Sequence, residues 1–343
     1  MKTLRIILLA LTVACIVGAL VAWKFYAKVY EKNIFVNSDE YLYIPSNSDF
    51  ETVKNLLQKN FKVLDIEAFE WTAKRKHYIS QIHGGRYKIK DGMSNSELVN
   101  MLRSGLQEPI NVSFNNLHTI KQLCSKISKQ LELDSSYLFN LLNDNNFTQK
   151  YGFTPQTISA MFIPDTYQFY WNTPAEKFVE KMHKIYSNFW NEDNLKKARD
   201  IGFTPLEVSV LASIVQSEQS RYKDEQPIIA GLYINRLKIG MPLQSDPTVV
   251  FAVGDFTIKR VGGDMLKLDS PYNTYVNTGL PPSVIAFPEK SALTAVLNYQ
   301  RNDYVYMCAK SDFSGRHNFA RTYEQHLKYA KEYRKALSER GIK

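Results

Sequence analysis

Glu218 closes an apolar helical run, Leu211-Ala212-Ser213-Ile214-Val215-Gln216-Ser217-Glu218. Leu211 and Ile214 stand seven and four residues before it, so the three share one face of a helix. A carboxyl on an apolar face loses hydration, which disfavours its charged form. Such a group keeps its proton near neutral pH and can give it to a leaving oxygen. The competing interpretation is a solvated residue at a fraying helix end, where the chain runs into Gln219-Ser220-Arg221. Other chemistries find little support. His77, His83, His118, His183, His317 and His326 show no metal-ligand spacing, and no HExxH or CxxC motif occurs. There is no GxSxG elbow, GxGxxG turn or Walker loop. Neither a metal nor a cofactor is therefore expected. An ordinary glycosidase needs two carboxylates flanking the bond. Asp246, Asp264 and Asp269 are possible partners, but all lie in segments that read as loops. Asp246, between Ser245 and Pro247, also suits the shaping of a turn, so a one-carboxylate mechanism stays open.

The helix carrying Glu218 starts at a capping box, Thr204-Pro205-Leu206-Glu207, with Pro at the first helical position. Before it, a long helix is expected over 174–198, with Phe178, Met182, Ile185 and Phe189 as a core stripe. After it, a helix over 226–239 begins near Pro227 and stops at Gly240. From 241 to 290 the chain reads as loops rich in Pro, Gly, amides and aromatic rings, a mixture that suits a sugar ligand. Upstream, a strand at Tyr41–Pro45, helices opening at Ser48 or Asp49 and at about 66–80, and a strand at Arg86–Lys90 form a small module. Ser94 caps a further helix that Gly105 stops. A strand at Ile110–Phe114, helices near 118–131 and 135–143, and an aromatic turn at Phe162–Tyr167 follow.

Ile6 to Trp23 is an 18-residue run without charge, preceded by Lys2 and Arg5. That length just spans a bilayer core as a helix. It is long for a signal peptide, so an uncleaved anchor is expected, with the large remainder outside the cytoplasm. Cys124 and Cys308 are read as free thiols rather than as a bridge. The formal charge of +9 comes from scattered Lys and Arg with no nucleic-acid motif, so no nucleic-acid partner is expected.

Taken together these motifs resemble the endolytic murein transglycosylase, or YceG-like, family. The carriers are the run ending at Glu218, Tyr233-Ile234-Asn235-Arg236 through Gln244-Ser245-Asp246-Pro247-Thr248, Tyr272-Asn273-Thr274-Tyr275, and Thr278-Gly279-Leu280-Pro281-Pro282. Pro164-Asp165-Thr166-Tyr167 and Gly85-Arg86-Tyr87 extend the match upstream. The resemblance implies an α+β chain with five parts. These are a cytoplasmic tail (1–5), a transmembrane helix (6–23), a stalk (24–38), a LysM-like βααβ module (39–108) and a mixed α+β catalytic domain (109–343). It implies a lytic transglycosylase of the bacterial cell membrane that cuts MurNAc-GlcNAc bonds inside peptidoglycan strands and leaves 1,6-anhydro ends. Glu218 falls on the catalytic acid; Gln216 stands where many members carry a second Glu. Asn235, Gln244, Asp246, Asn273 and Tyr275 are the implied glycan-binding residues, with His317 and Phe319 as further candidates. Peptidoglycan and the lipid bilayer are the implied partners, and cell-wall synthases are raised as others. The alternative from another class is a non-catalytic glycan-binding scaffold, which would need no desolvated acid.

Overall fold

A computed structural model describes residues 2–38 and 40–341, and the chain divides into two units. Unit one takes residues 1–112 with short returns at 130–132 and 168–174. In chain order its elements are α1 (Lys2–Tyr30), β1 (Lys32–Phe35), β2 (Glu40–Ile44), α2 (Phe50–Asn60), β3 (Lys62–Val63), α3 (Ile66–Arg75), β4 (Gly85–Ile89), β5 (Met93–Ser94) and α4 (Asn95–Ser104). Helix α1 contains the expected span, and none of its side chains is buried. Its 29 residues run to about 43 Å at the usual rise, longer than a bilayer core.

The expected stalk is not a free linker. The helix continues to Tyr30, and β1 then pairs antiparallel with both β3 and β5. Two contacts hold the end of α1 in place. Asn95 Nδ2 donates to the Lys28 carbonyl at 2.8 Å, and the Phe25 ring meets Trp71 with centroids 5.4 Å apart. β2 and β4 pair antiparallel from Glu40 opposite Ile89 to Ile44 opposite Gly85, with α2 and α3 between them in the chain. Asp49 is the cap of α2, accepting from the Thr52 amide. α3 ends at Arg75 rather than near 80. His77 there takes a positive φ of 56°, and Tyr78 turns inward to full burial. The apolar faces of Leu42, Val53, Leu57, Phe69, Tyr87 and Leu98 meet in this unit's core.

Unit two holds the remainder. Strands β6 (Ile110–Phe114) and β7 (Asp165–Phe169) lie where the division falls. Its helices are α5 (Ile120–Ser128), α6 (Ser135–Asn143), α7 (Asn145–Gln149), α8 (Ala175–Phe189), α9 (Glu192–Asp200), α10 (Pro205–Glu218), α11 (Gln226–Lys238), α12 (Asp246–Val253), α13 (Lys290–Leu297) and α14 (Tyr323–Glu339). Strands β8 (Tyr306–Ala309) and β9 (His317–Ala320) form an antiparallel ribbon between α13 and α14 in the chain. The single long helix expected over 174–198 is two, because Asn191 leaves helical geometry and caps α9 by accepting from the Asn194 amide. The aromatic turn at 162–167 runs into β7, and the loop-rich stretch after 240 contains α12.

α10 is the hub. Its capping box forms in both directions at Thr204 and Glu207. Every residue from Val208 to Gln216 is buried, so it has no solvent face to contrast with an apolar one. α11 and α13 pack against it, and the Leu211, Ile214, Val215, Ile229, Tyr233 and Val296 side chains close the core. Burying a Leu or Ile is worth about 2 kcal/mol relative to exposure, so the buried run anchors this helix in the core.

Candidate active site

Glu218 is the last helical residue of α10 because Gln219 leaves the helix with φ −141° and ψ 86°. That exit is fixed by the Gln219 side chain, whose Nε2 donates to Glu225 Oε2 and to the Gly315 carbonyl at 2.9 Å each. Its oxygen accepts from the Arg221 and Tyr222 amides, and Gln226 Nε2 donates to the Gln219 carbonyl at 2.8 Å. The carboxyl of Glu218 is thereby carried to the end of a rigid helix and lines a cavity of about 310 Å³.

Two hydroxyls donate to the same oxygen of that carboxyl. Tyr233 Oη reaches Oε1 at 2.9 Å from α11, and Ser245 Oγ reaches it at 2.5 Å from the turn before α12. No hydrogen bond reaches Oε2 among the described residues. Burial pushes the Glu218 pKa above its usual 4.5, and the negative charge of Asp246 adds to the rise; the two hydroxyls and His317 oppose it. Burial also holds the Tyr233 phenol far above its ordinary range, so it remains a donor.

Ser245 is fully buried and locked from behind. Its amide donates to Thr274 Oγ1 at 3.0 Å, and Thr248 Oγ1 donates to its carbonyl at 2.7 Å. Gln244, beside it, takes a positive φ of 50°, an uncommon conformation for a residue with a Cβ, and its amide donates to the Thr274 carbonyl at 3.0 Å. Asp246 opens α12 and accepts from Tyr275 Oη at 2.6 Å. Burial and that carboxylate raise the Tyr275 pKa.

Of the residues expected from sequence, Glu218, Gln244, Asp246 and Tyr275 line this one cavity. Asn235 and Asn273 do not. Asn235 Nδ2 is spent on the Asn302 and Tyr304 carbonyls, and buried Asn273 donates to the Leu266 and Leu268 carbonyls while accepting from the Tyr275 amide. Both are loop fasteners. Gln216 is another, donating to the Phe287 carbonyl and accepting from the Glu289 amide. His317 lines the cavity with its Nδ1 held 3.0 Å from buried Glu225, whereas Phe319 is packed against the core.

Sequence reasoning missed Tyr233, Ser245, Arg236 and His326. Tyr233 stands fifteen residues after Glu218, and helical periodicity within one element cannot pair residues on two. A second cavity of about 390 Å³, lined by His118, Ser217, Asp246, Pro247 and Phe256 among others, shares Asp246 with the first. His118 and Phe256 stack there at 4.2 Å. Adjacent residues Ser217 and Glu218 thus belong to neighbouring cavities. No cluster of His, Cys, Asp or Glu suited to a metal occurs among the described residues.

A shielded carboxyl at the end of a buried helix thus borders one cavity, with a second beside it at Ser217, in an α+β chain that also carries an N-terminal apolar helix. The chain matches the YceG-like family over residues 42–332 and belongs to it. A Bacillus subtilis relative named endolytic murein transglycosylase is 29% identical over 315 residues, covering 87% of this chain and 85% of that one. A Streptococcus pneumoniae relative of the same name is 25% identical over 337 residues, covering 88% of this chain but only 60% of its own length. In fold, the chain is similar to a crystal structure of a yceG-like protein from Listeria monocytogenes, with TM-score 0.56 and 24% identity, over 85% of this chain and 99% of that one.

Proposed function

We propose that this chain is an endolytic peptidoglycan lytic transglycosylase that cleaves MurNAc-β-1,4-GlcNAc bonds with Glu218 as the acid and then the base. The observation that carries the reading is the Glu218 carboxyl, its pKa raised by burial and one of its oxygens held by two donors, inside a glycan-sized cavity. With Oε1 accepting twice, the acidic proton belongs on Oε2. It passes to the glycosidic oxygen as the bond from C1 breaks, and the GlcNAc side leaves as an alcohol. The carboxylate then takes the proton of the muramic acid C6 hydroxyl, which closes onto C1. Glu218 is protonated again, no water is consumed, and proximity drives the internal attack. Asp246 is engaged by Tyr275, which supports a binding or charge-setting role for it rather than that of a nucleophile.

The paired strands β2 and β4 with helices α2 and α3 between them, in the order β2-α2-β3-α3-β4, support a LysM-like glycan-binding module over 39–108, ahead of a catalytic domain at 109–343. The apolar α1 supports a single-pass anchor in the cell membrane with the catalytic domain on its outer side, next to new glycan and the synthases that make it. Digestion of peptidoglycan in heavy-oxygen water, followed by mass spectrometry, tests the reaction. Unlabelled 1,6-anhydroMurNAc ends are expected. Labelled reducing ends would mean hydrolysis with Asp246 as second carboxylate, and intact strands would favour a binding scaffold.

A further inference from the structure

Arg236, on α11, is 7% exposed and has no carboxylate partner within ion-pair distance among the described residues. Its Nε donates to the Val305 carbonyl at 2.6 Å, and its Nη1 to the Pro242 and Leu243 carbonyls at 3.2 and 2.7 Å. Nη2 donates to nothing among the described residues, yet Arg236 lines the same cavity as Glu218. A buried guanidinium whose charge no acid offsets is costly unless something else meets it.

His326 supplies a second, independent sign. It reaches the same cavity from α14, its ring stacked on Tyr306 with centroids 5.3 Å apart. The Arg236 guanidinium stands 5.7 Å from the centre of that same Tyr306 ring. Its Nδ1 is buried without a partner, and no hydrogen bond to Nε2 exists among the described residues. An imidazole held by stacking alone, beside an arginine with a bare terminal nitrogen, leaves two donors for a ligand oxygen.

We propose that Arg236 and His326 form a subsite for the 3-O-lactyl arm of a muramic acid residue, binding its carboxylate or, where a peptide is attached, its acyl oxygen. This rests on the reading of the cavity as a peptidoglycan cleft. The lactyl arm is the one acidic substituent on the glycan backbone, and it distinguishes MurNAc from GlcNAc. The second cavity offers no equivalent; its one cationic side chain, Lys259, is exposed and its charge hydrated. The subsite would therefore set which sugar lies on which side of Glu218.

Ligand-observed NMR titration of the full-length protein in detergent, with N-acetylmuramic acid and N-acetylglucosamine, tests the idea, because the two differ only in the arm. Wild-type protein should prefer the muramic sugar roughly tenfold, as expected for hydrogen bonds to a charged group. Arg236→Gln should abolish the preference while GlcNAc binding persists. Since Arg236 also ties three backbone carbonyls, His326→Phe is the safeguard: it keeps the stack on Tyr306, removes the donor, and should cut the preference several-fold. Equal binding of the two sugars by wild type, or an undiminished preference in a folded His326→Phe protein, overturns the subsite. Failure of the wild type to cut strands sinks the transglycosylase reading instead, and leaves the sugar comparison to be judged alone.

Discussion

Replacing Ser245 by Ala should move the alkaline limb of the pH–activity profile upward. Ser245 donates to Glu218 Oε1 at 2.5 Å and favours the charged carboxylate, so it pulls down a pKa that burial has raised. Removing the hydroxyl leaves the carboxylate with one donor, Tyr233 at 2.9 Å, and makes protonation easier. A hydrogen bond to a charged group is worth about 1.5–3 kcal/mol, and about 1.4 kcal/mol corresponds to one pKa unit. Because Tyr233 still serves the same oxygen, the lower end applies, and a shift of about one pH unit follows. Ser245 is held through its backbone by Thr274 and Thr248, so the substitution leaves the turn intact. The measurement is kcat/KM for glycan-strand cleavage across pH, where the limb reports the free enzyme's acid. A limb that stays put or moves down would mean that Glu218 is not the acid controlling the rate, or that the Ser245 contact does not form.

Glu218→Gln should reduce cleavage at least a hundredfold yet raise the melting temperature near neutral pH. The folded-state pKa of Glu218 lies above its usual 4.5, so its contribution to stability is present in acid and is lost as pH rises through the folded value. The gain in Tm should therefore shrink toward pH 4, and a gain independent of pH would contradict the raised pKa. Asn273→Ala should destabilise by about 1–2 kcal/mol, because two part-buried carbonyls lose their donor, and chemical denaturation reads this directly. Soluble forms beginning at Phe25 and at Glu31 should both cut purified peptidoglycan, but the longer should melt higher. The shorter loses the Lys28 carbonyl that buried Asn95 binds and the Phe25–Trp71 contact; equal melting would show the helix end to be dispensable.

The one-dimensional signals were local ones, and they were legible for that reason. Uncharged length marks the N-terminal helix, and caps at Asp49, Ser94 and Thr204 with the stop at Gly105 mark helix ends through bonds spanning three or four residues. Glu218 could be singled out because its own helix shows the apolar run that shields it. The extension of α1 into the first part of the stalk was hidden, since it depends on Asn95 reaching Lys28 from 67 residues away. The split at Asn191 turned on a cap that competes with a continuous apolar stripe.

Within the candidate site, the sequence by itself singled out the Glu218 carboxyl and its neighbourhood of polar and aromatic loops. Only the tertiary structure decided which of those side chains meet it. Asn235 and Asn273 have the composition of sugar ligands, yet backbone carbonyls left unpaired by irregular loops claim their amides. Tyr233, Arg236 and His326 converge on one cavity from α11 and α14, and Ser245 reaches the Glu218 carboxyl from the turn before α12. Tyr233 and Arg236 share α11 at helical spacing, but the steps from Glu218 to them and on to Ser245 and His326 carry no period, because the distances that matter are set by how α11 and α13 pack on α10. A pKa is set the same way: the carboxyl is written in the chain, but its desolvation exists only once the core has closed around it.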